Sequence, residues 1–356
     1  MKVGIVGLPN AGKSSLFTAL TGAAADAANY PFTTIDPNVA VVPVADKRLD
    51  AVARVVGSSH VVPDTIEFHD IAGLVAGAHR GEGLGNQFLA NIRETEAILH
   101  VVRVHDDPNV VHPDGRVDPV ADIETVETEL IYADLEQAER RLERVAKAAK
   151  GGDRRARAEA DWLTGVVEAL SAGRPAREVP PPTDVAEPLP LLTAKPILFV
   201  ANVAEGVDDA PAAIVEHARQ RAAAAIAVCA RLEAELAAME DAEAASLRTE
   251  LGLVASGLET VVRGAFELLE LVAFFTAGEG KPAQSWHLRH GLSAWHAAGM
   301  IHTDMQRGFV RAEVVPWNEL VDAGGYVGAR ERGTLRLEGR DYVVADGDVV
   351  TIRFAA

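Results

Sequence analysis

Eight residues constrain this chain more than any other stretch: Gly7-Leu8-Pro9-Asn10-Ala11-Gly12-Lys13-Ser14. An apolar run (Val3, Ile5, Val6) precedes them and a helical pattern (Leu16, Phe17, Leu20) follows. The G-x-x-x-x-G-K-S spacing therefore sits between a strand and a helix. Glycine at both ends lets the backbone curl without Cβ clashes, so that successive N–H groups turn inward. A helix opening at Lys13 adds the positive end of its dipole. This is the chemistry of a phosphate cradle, expected to be formed by Asn10, Ala11, Gly12, Lys13, Ser14 and Ser15. Lys13 supplies a mobile cation for β- and γ-phosphates, and the Ser14 hydroxyl suits Mg²⁺. The N-terminal part is thus expected to be an α/β sheet that binds a nucleoside triphosphate.

Two further segments fit such a site. Asn29-Tyr30-Pro31-Phe32-Thr33-Thr34-Ile35-Asp36-Pro37-Asn38 precedes a strand and has the character of a switch whose Thr34 completes the Mg²⁺ shell. The strand Thr65–Asp70 runs into Asp70-Ile71-Ala72-Gly73, a D-x-x-G pattern. Asp70 is expected to hold Mg²⁺ through water, and the Gly73 N–H to sense the γ-phosphate. Ras-like GTPases place a water-orienting Gln after this Gly, whereas here Leu74 stands. Leucine cannot orient water, so any hydrolysis needs another group. His79 and His112 are the candidates on neighbouring loop-like segments.

The base pocket is expected at the ends of two later strands, Lys195–Asn202 and Ile226–Ala230. Guanine-binding domains carry N-K-x-D at the first place; here it reads Asn202-Val203-Ala204-Glu205. The stacking Lys stem is gone, and the longer carboxylate is misplaced for guanine. Asn202 can still donate and accept, which suits the edge of adenine. Asn202, Val203, Glu205 and Cys229 are the expected lining.

Between these halves the composition changes. Glu124–Lys150 is nearly continuous helix former, Gly151-Gly152 breaks it, and Ala156–Leu170 resumes the pattern. That predicts an antiparallel helical hairpin. Its tip gathers Arg140, Arg141, Arg144, Lys147, Lys150, Arg154, Arg155 and Arg157 in a chain of net charge −18. Clustered cations on an acidic chain suit RNA or ribosome contact. Ala230–Leu253 reads as one helix, and a final piece of about 80 residues reads as a small mixed sheet resembling a β-grasp. The boundaries expected are 1–120 with 186–275 for the nucleotide domain, 121–185 for the hairpin and 276–356 for the last domain. No run approaches ~18 uninterrupted apolar residues, so no membrane span is expected. A strand pattern starting at Lys2 leaves no expected leader peptide. With Cys229 as the single cysteine, a cytoplasmic protein is expected.

Taken together, GLPNAGKSS, NYPFTTIDPN, DIAGL, GEGLGNQFLANIRETEAI, ANVAEG, FFTAG, IHTDMQRGFVRAE and DYVVADGDVV resemble the YchF/Obg-like ATPase family of the TRAFAC class, over essentially the whole chain. The resemblance implies a P-loop G domain interrupted by a coiled-coil hairpin and followed by a C-terminal TGS domain. It implies ATP preferred over GTP, Mg²⁺ dependence and ribosome association, and it makes a hydrophobic residue at Leu74 a family trait. Asn10 matches an asparagine that in some related GTPases helps hold a stimulatory K⁺. His69 and Ala76 depart from the usual family residues at positions that touch no phosphate. A monomer is expected. The rival readings are an Obg-type GTPase, disfavoured by Val203 and Glu205, and a nucleotide-gated binder with negligible turnover. A metabolic P-loop kinase is more remote, since no acceptor constellation is visible.

Overall fold

The computed structural model describes residues 1–26, 38–71, 84–107, 110–113, 115–185, 187–253 and 256–355. Thr34, Gly73, Leu74 and His79 lie outside them. Two compact units divide the chain: Met1–Val42 with Glu67–Leu268, and Pro43–Ile66 with Leu269–Ala356.

The chain begins with β1 (Lys2–Val6), α1 (Lys13–Asp26), β2 (Val39–Pro43), α2 (Lys47–Val56), β3 (Val61–Val62) and β4 (Thr65–Asp70). It continues through α3 (Leu84–Arg93), β5 (Ala97–Arg103), α4 (Pro119–Lys150), α5 (Arg154–Ser171), β6 (Ile197–Asn202), α6 (Ala212–Gln220) and β7 (Ala224–Val228). Then come α7 (Ala230–Leu236), α8 (Asp241–Glu250) and α9 (Gly257–Leu268).

In the first unit a six-stranded sheet runs β2-β4-β1-β5-β6-β7, with β4, β1, β5, β6 and β7 mutually parallel. Every residue of β5 and β6 is buried, as expected for central strands covered on both faces. Side chains of Ile197 and Phe199 join a core with Phe88 and Ile92 of α3, Ile123 and Val126 of α4 and Ile214 of α6. Leu198, of opposite pleat, meets Gly264 of α9, where an added Cβ would lie 2.8 Å from its Cδ2. Stacking parallel strands in this order brings their carboxyl ends, and the loops after β1, β5 and β6, to one edge.

The expected hairpin is present. Asp118 caps α4 at the Ala121 N–H, Pro119 occupies the first turn, and Asp153 caps α5 at Arg155 and Ala156. The amino-terminal part of α4 belongs to the sheet's core, while its later part packs on α5 through Ala138, Val145, Trp162, Leu163 and Val166. At the junction Asp134, 0 % exposed, accepts from Leu192 N (2.8 Å), Thr193 N (2.7 Å) and Thr193 Oγ1 (2.6 Å). Burial pushes its carboxyl above the usual range, against the pull of those donors.

The second unit adds β8 (Leu271–Thr276), β9 (Ala283–Arg289), α10 (Ala294–Ile301), α11 (Thr303–Arg307) and β10 (Phe309–Pro316). It ends with α12 (Trp317–Asp322), α13 (Tyr326–Glu331), β11 (Arg336–Glu338) and β12 (Asp348–Phe354). The sheet order is β11-β10-β12-β8-β9-β3, mixed because β8 and β12 are parallel while β8–β9 and β10–β12 are antiparallel.

Three expectations differ from this architecture. Pro43–Ile66 groups with the last domain rather than with the nucleotide domain, and that domain starts at Leu269 rather than 276. The strand–helix–strand pattern of 39–70 suggested continuous winding. Instead β3 extends the second sheet beside β9. Asp64 fixes it there, accepting from His287 N at 2.8 Å while its own N–H donates to Ser285 Oγ at 2.8 Å. Lastly, the single helix expected over 230–253 is two: α7 ends at Leu236 and α8 opens at Asp241, which lets Ala244 bury against Leu232 and Leu236. No helix among the described residues is long and apolar enough to cross a membrane.

Removing the Asp134 carboxylate leaves three buried donors unsatisfied. Asp134→Ala is expected to cost roughly 3 kcal/mol or more in urea unfolding, and Asp134→Asn, which keeps one acceptor, measurably less.

Candidate nucleotide site

Beyond the carboxyl ends of β1, β5 and β6 lies a cavity of about 710 Å³. Gly12, Lys13, Ser14 and Ser15 line one part of it, and Asn202, Val203, Ala204, Glu205 and Cys229 another. The phosphate-cradle residues and the base-pocket residues read from the sequence therefore share one cavity.

The loop between β1 and α1 has the strained backbone its glycines predicted. Gly7 and Gly12 adopt φ of 151° and 101°, and Asn10 sits in the left-handed region at 63°. A Cβ on Gly7 would come within 2.3 Å of Val101 O, and one on Gly12 within 2.2 Å of Asn202 Nδ2. Both glycines are required by close approach as well as by φ. The first turn of α1 opens at Lys13, with the Leu16 N–H returning to Gly12 O at 3.0 Å. Its earlier N–H groups are the ones a helix start leaves for an anion. Ala11 is buried and contributes from beneath, through its carbonyl.

Lys13 is only 7 % exposed, and its Nζ donates to Leu8 O at 2.7 Å within its own loop. Burial lowers its pKa to about 8, partly offset by the Asp70 charge. Asp70 ends β4, and burial raises its carboxyl while Lys13 pulls it back. A hydroxyl at Ser14 and a carboxylate at Asp70 are hard oxygen donors. Hard oxygen donors with phosphate oxygens and water are what Mg²⁺ takes, so the residues present fit that ion.

One expected residue has a bracing task as well, and one expected role needs correction. Asn202, 8 % exposed, donates from Nδ2 to Ala11 O (3.0 Å) and accepts at Oδ1 from Ala230 N (3.1 Å). One N–H and one lone pair of the amide brace the phosphate loop against the start of α7, and the side chain, which also lines the cavity, keeps a second N–H and a second lone pair. His112, expected as a group that could place water, is 8 % exposed, and its Nε2 lies 2.9 Å from Asp122 Oδ2 of α4. It is absent from the cavity's lining. Its burial against α4 makes it a joint between loop and helix.

The sequence reading missed Arg103, His105 and Asp107. Arg103 ends β5, is buried, and donates to His105 O (2.9 Å), Val110 O (3.0 Å) and Asp107 O (3.2 Å), so that it shapes the wall of the cavity. A charged residue closing a buried, largely apolar strand at the sheet's carboxyl edge was the available signal. His105 lines the cavity with its Nδ1 3.0 Å from Asn202 O. Glu205 lies at the exposed rim. Asn10 donates from Nδ2 to Val111 O at 2.9 Å.

Comparison with known proteins agrees with this site. Residues 2–141 match the family described as 50S ribosome-binding GTPase, and residues 271–355 match the YchF-GTPase C-terminal family, described as a protein of unknown function. The ribosome-binding ATPase YchF of Bacillus subtilis is 47 % identical over 99 % of both chains. Its namesake in Escherichia coli O157:H7 is 46 % identical, again over 99 % of both. The solved structure of the Schizosaccharomyces pombe YchF GTPase superposes with a TM-score of 0.84 at 32 % identity, covering 99 % of this chain and 97 % of that one. The chain belongs to the YchF family of P-loop NTPases.

Proposed function

We propose that this protein is a ribosome-associated ATPase that works as a nucleotide-dependent switch, preferring ATP to GTP. The observation that carries it is the phosphate loop itself: a left-handed cradle at a helix start, with a buried lysine held ready beside a carboxylate. The bacterial relatives named as ribosome-binding ATPases supply the biological setting. Triphosphate oxygens would replace Leu8 O as partners of Lys13, and backbone N–H groups of residues 10–15 would cradle them. Ser14, Asp70 and Thr34 would hold Mg²⁺, which when bound neutralises charge on the β- and γ-phosphates. Gly73 would report the γ-phosphate. Asn10 keeps its Oδ1 without a hydrogen-bond partner among the described residues, which leaves an oxygen for K⁺. The ribosome contact would be the hairpin tip. Arg144, Lys147, Lys150, Arg154, Arg155 and Arg157 are exposed there and without an ion-pair partner among the described residues, while Arg140 pairs with Glu136 and Arg141 with Glu159.

A second reading, GTP as substrate, draws on the fission-yeast relative described as a GTPase. Calorimetric titration with ATP and GTP, each with Mg²⁺ in K⁺ buffer, separates the two. ATP is expected to bind at least about tenfold more tightly, or 1.4 kcal/mol; equal or tighter GTP binding overturns the preference. Turnover measured with K⁺ and ribosomes should rise above the basal rate, and a rate that stays at background with both present would leave only a nucleotide-gated binder.

Lys13→Ala should weaken ATP binding by about two orders of magnitude through loss of charge-assisted bonds. Gly12→Ala should do as much by driving a methyl into the Asn202 strut. Micromolar ATP affinity retained in both would refute the cradle. Since free Lys13 loses its proton near pH 8 and only the cation binds phosphate, ATP affinity should fall roughly tenfold from pH 7 to pH 9. Glutamate at Arg144, Arg154 and Arg155 together should lower ribosome co-sedimentation more than tenfold at low salt without changing ATP binding. Unchanged co-sedimentation would move the contact elsewhere.

A further inference from the structure

We infer that His105 reads the exocyclic amine of adenine through the lone pair on its Nε2. The inference rests on the reading of this cavity as an ATP site.

Register places the residue. Arg103 pairs with Asn202 across β5 and β6, so His105 stands just past both strand ends, beside the Asn202–Glu205 segment and in the same cavity. Its ring is half-buried. Nδ1 lies 3.0 Å from Asn202 O, a carbonyl that already accepts from Val104 N at 3.3 Å. A carbonyl oxygen has no proton to give, so Nδ1 must be the donor, which fixes the tautomer of the neutral ring. The other nitrogen is then an acceptor, and nothing among the described residues donates to it. The backbone thus sets a hydrogen-bond acceptor at the wall of the cavity.

Polarity decides which purine this suits. Adenine carries an amine, a donor, where guanine carries a carbonyl oxygen. A lone pair facing the amine gains a hydrogen bond; facing the oxygen it meets another lone pair. The position also answers what the strut left open. With one N–H and one lone pair of the Asn202 amide held by Ala11 O and Ala230 N, the motif residue keeps only half of its hydrogen-bonding capacity for a base, and Glu205 is out at the rim. His105 adds a side chain at the strand ends whose second ring nitrogen has no donor among the described residues.

The test compares three nucleotides on two proteins: ATP, purine riboside triphosphate (which lacks the amine) and GTP, on the wild type and His105→Phe, by calorimetry with Mg²⁺. The wild type should bind ATP roughly tenfold more tightly than purine riboside triphosphate, the value of one buried hydrogen bond. In His105→Phe that gap should close, because ATP weakens while purine riboside triphosphate does not. A folding defect would instead weaken all three together, and His105→Gln, whose amide oxygen can accept, should then restore part of the gap if the inference holds. An ATP gap that persists in His105→Phe overturns the role of His105 and leaves the ATP site standing. A wild type that prefers GTP, or binds none of the three, overturns the ATP reading itself.

Discussion

Everything at this site depends on how closely the loop after β1 can approach the end of β6. The approach is set by one amide. Asn202 spans from Ala11 O to Ala230 N, and its Nδ2 occupies the space that any side chain at position 12 would need. Glycine at 12 is therefore required twice, once for φ and once for the strut. Because β6 is buried along its whole length, the strut is anchored to a strand covered on both faces. A cradle held from beneath in this way can aim its N–H groups before any phosphate arrives, which removes an ordering cost from binding.

The same preparation has an energetic cost in the nucleotide-free protein. Keeping Lys13 buried drops its pKa from 10.5 to about 8, which corresponds to on the order of 3 kcal/mol held against the fold at neutral pH. Asp70 returns part of it, and the Leu8 carbonyl satisfies the ammonium for the time being. Since the folded pKa lies below the unfolded one, this penalty is fully present below pH 8 and disappears as pH rises through 10.5. A triphosphate, far more negative than one carbonyl, converts that penalty into affinity.

The sequence made the nucleotide sheet legible because its physics is local. Loop glycines, β-branched strands and the Gly-Gly break announce themselves within windows of ten residues. The strand Thr65–Asp70, which is β4, was legible from the sequence for that reason. What the sequence did not reveal was partnership. Strand–helix–strand over 39–70 looks the same whether β3 joins the first sheet or the second, and only Asp64 meeting Ser285 and His287 decides it. Asn202 was singled out without its bracing task, since a motif gives the residue but not which backbone groups will share its amide. His112 failed for a related reason: a loop histidine and a buried one read alike until Asp122, ten residues on, turns out to face it.

That last pair gives His112 a different significance. Asn10 of the phosphate loop holds Val111 O, the next residue His112 holds Asp122, and Asp122 lies in the first turn of α4. From there one uninterrupted helix of 32 residues, about 48 Å long, leads to the basic tip. Its first half is packed in the sheet's core and pinned at Asp134, so it transmits as a rod rather than a tether. Two hydrogen bonds and the intervening backbone therefore connect Asn10 to the base of that rod. The residue expected to handle water instead joins the loop beside Asn10 to the first turn of the hairpin's first helix.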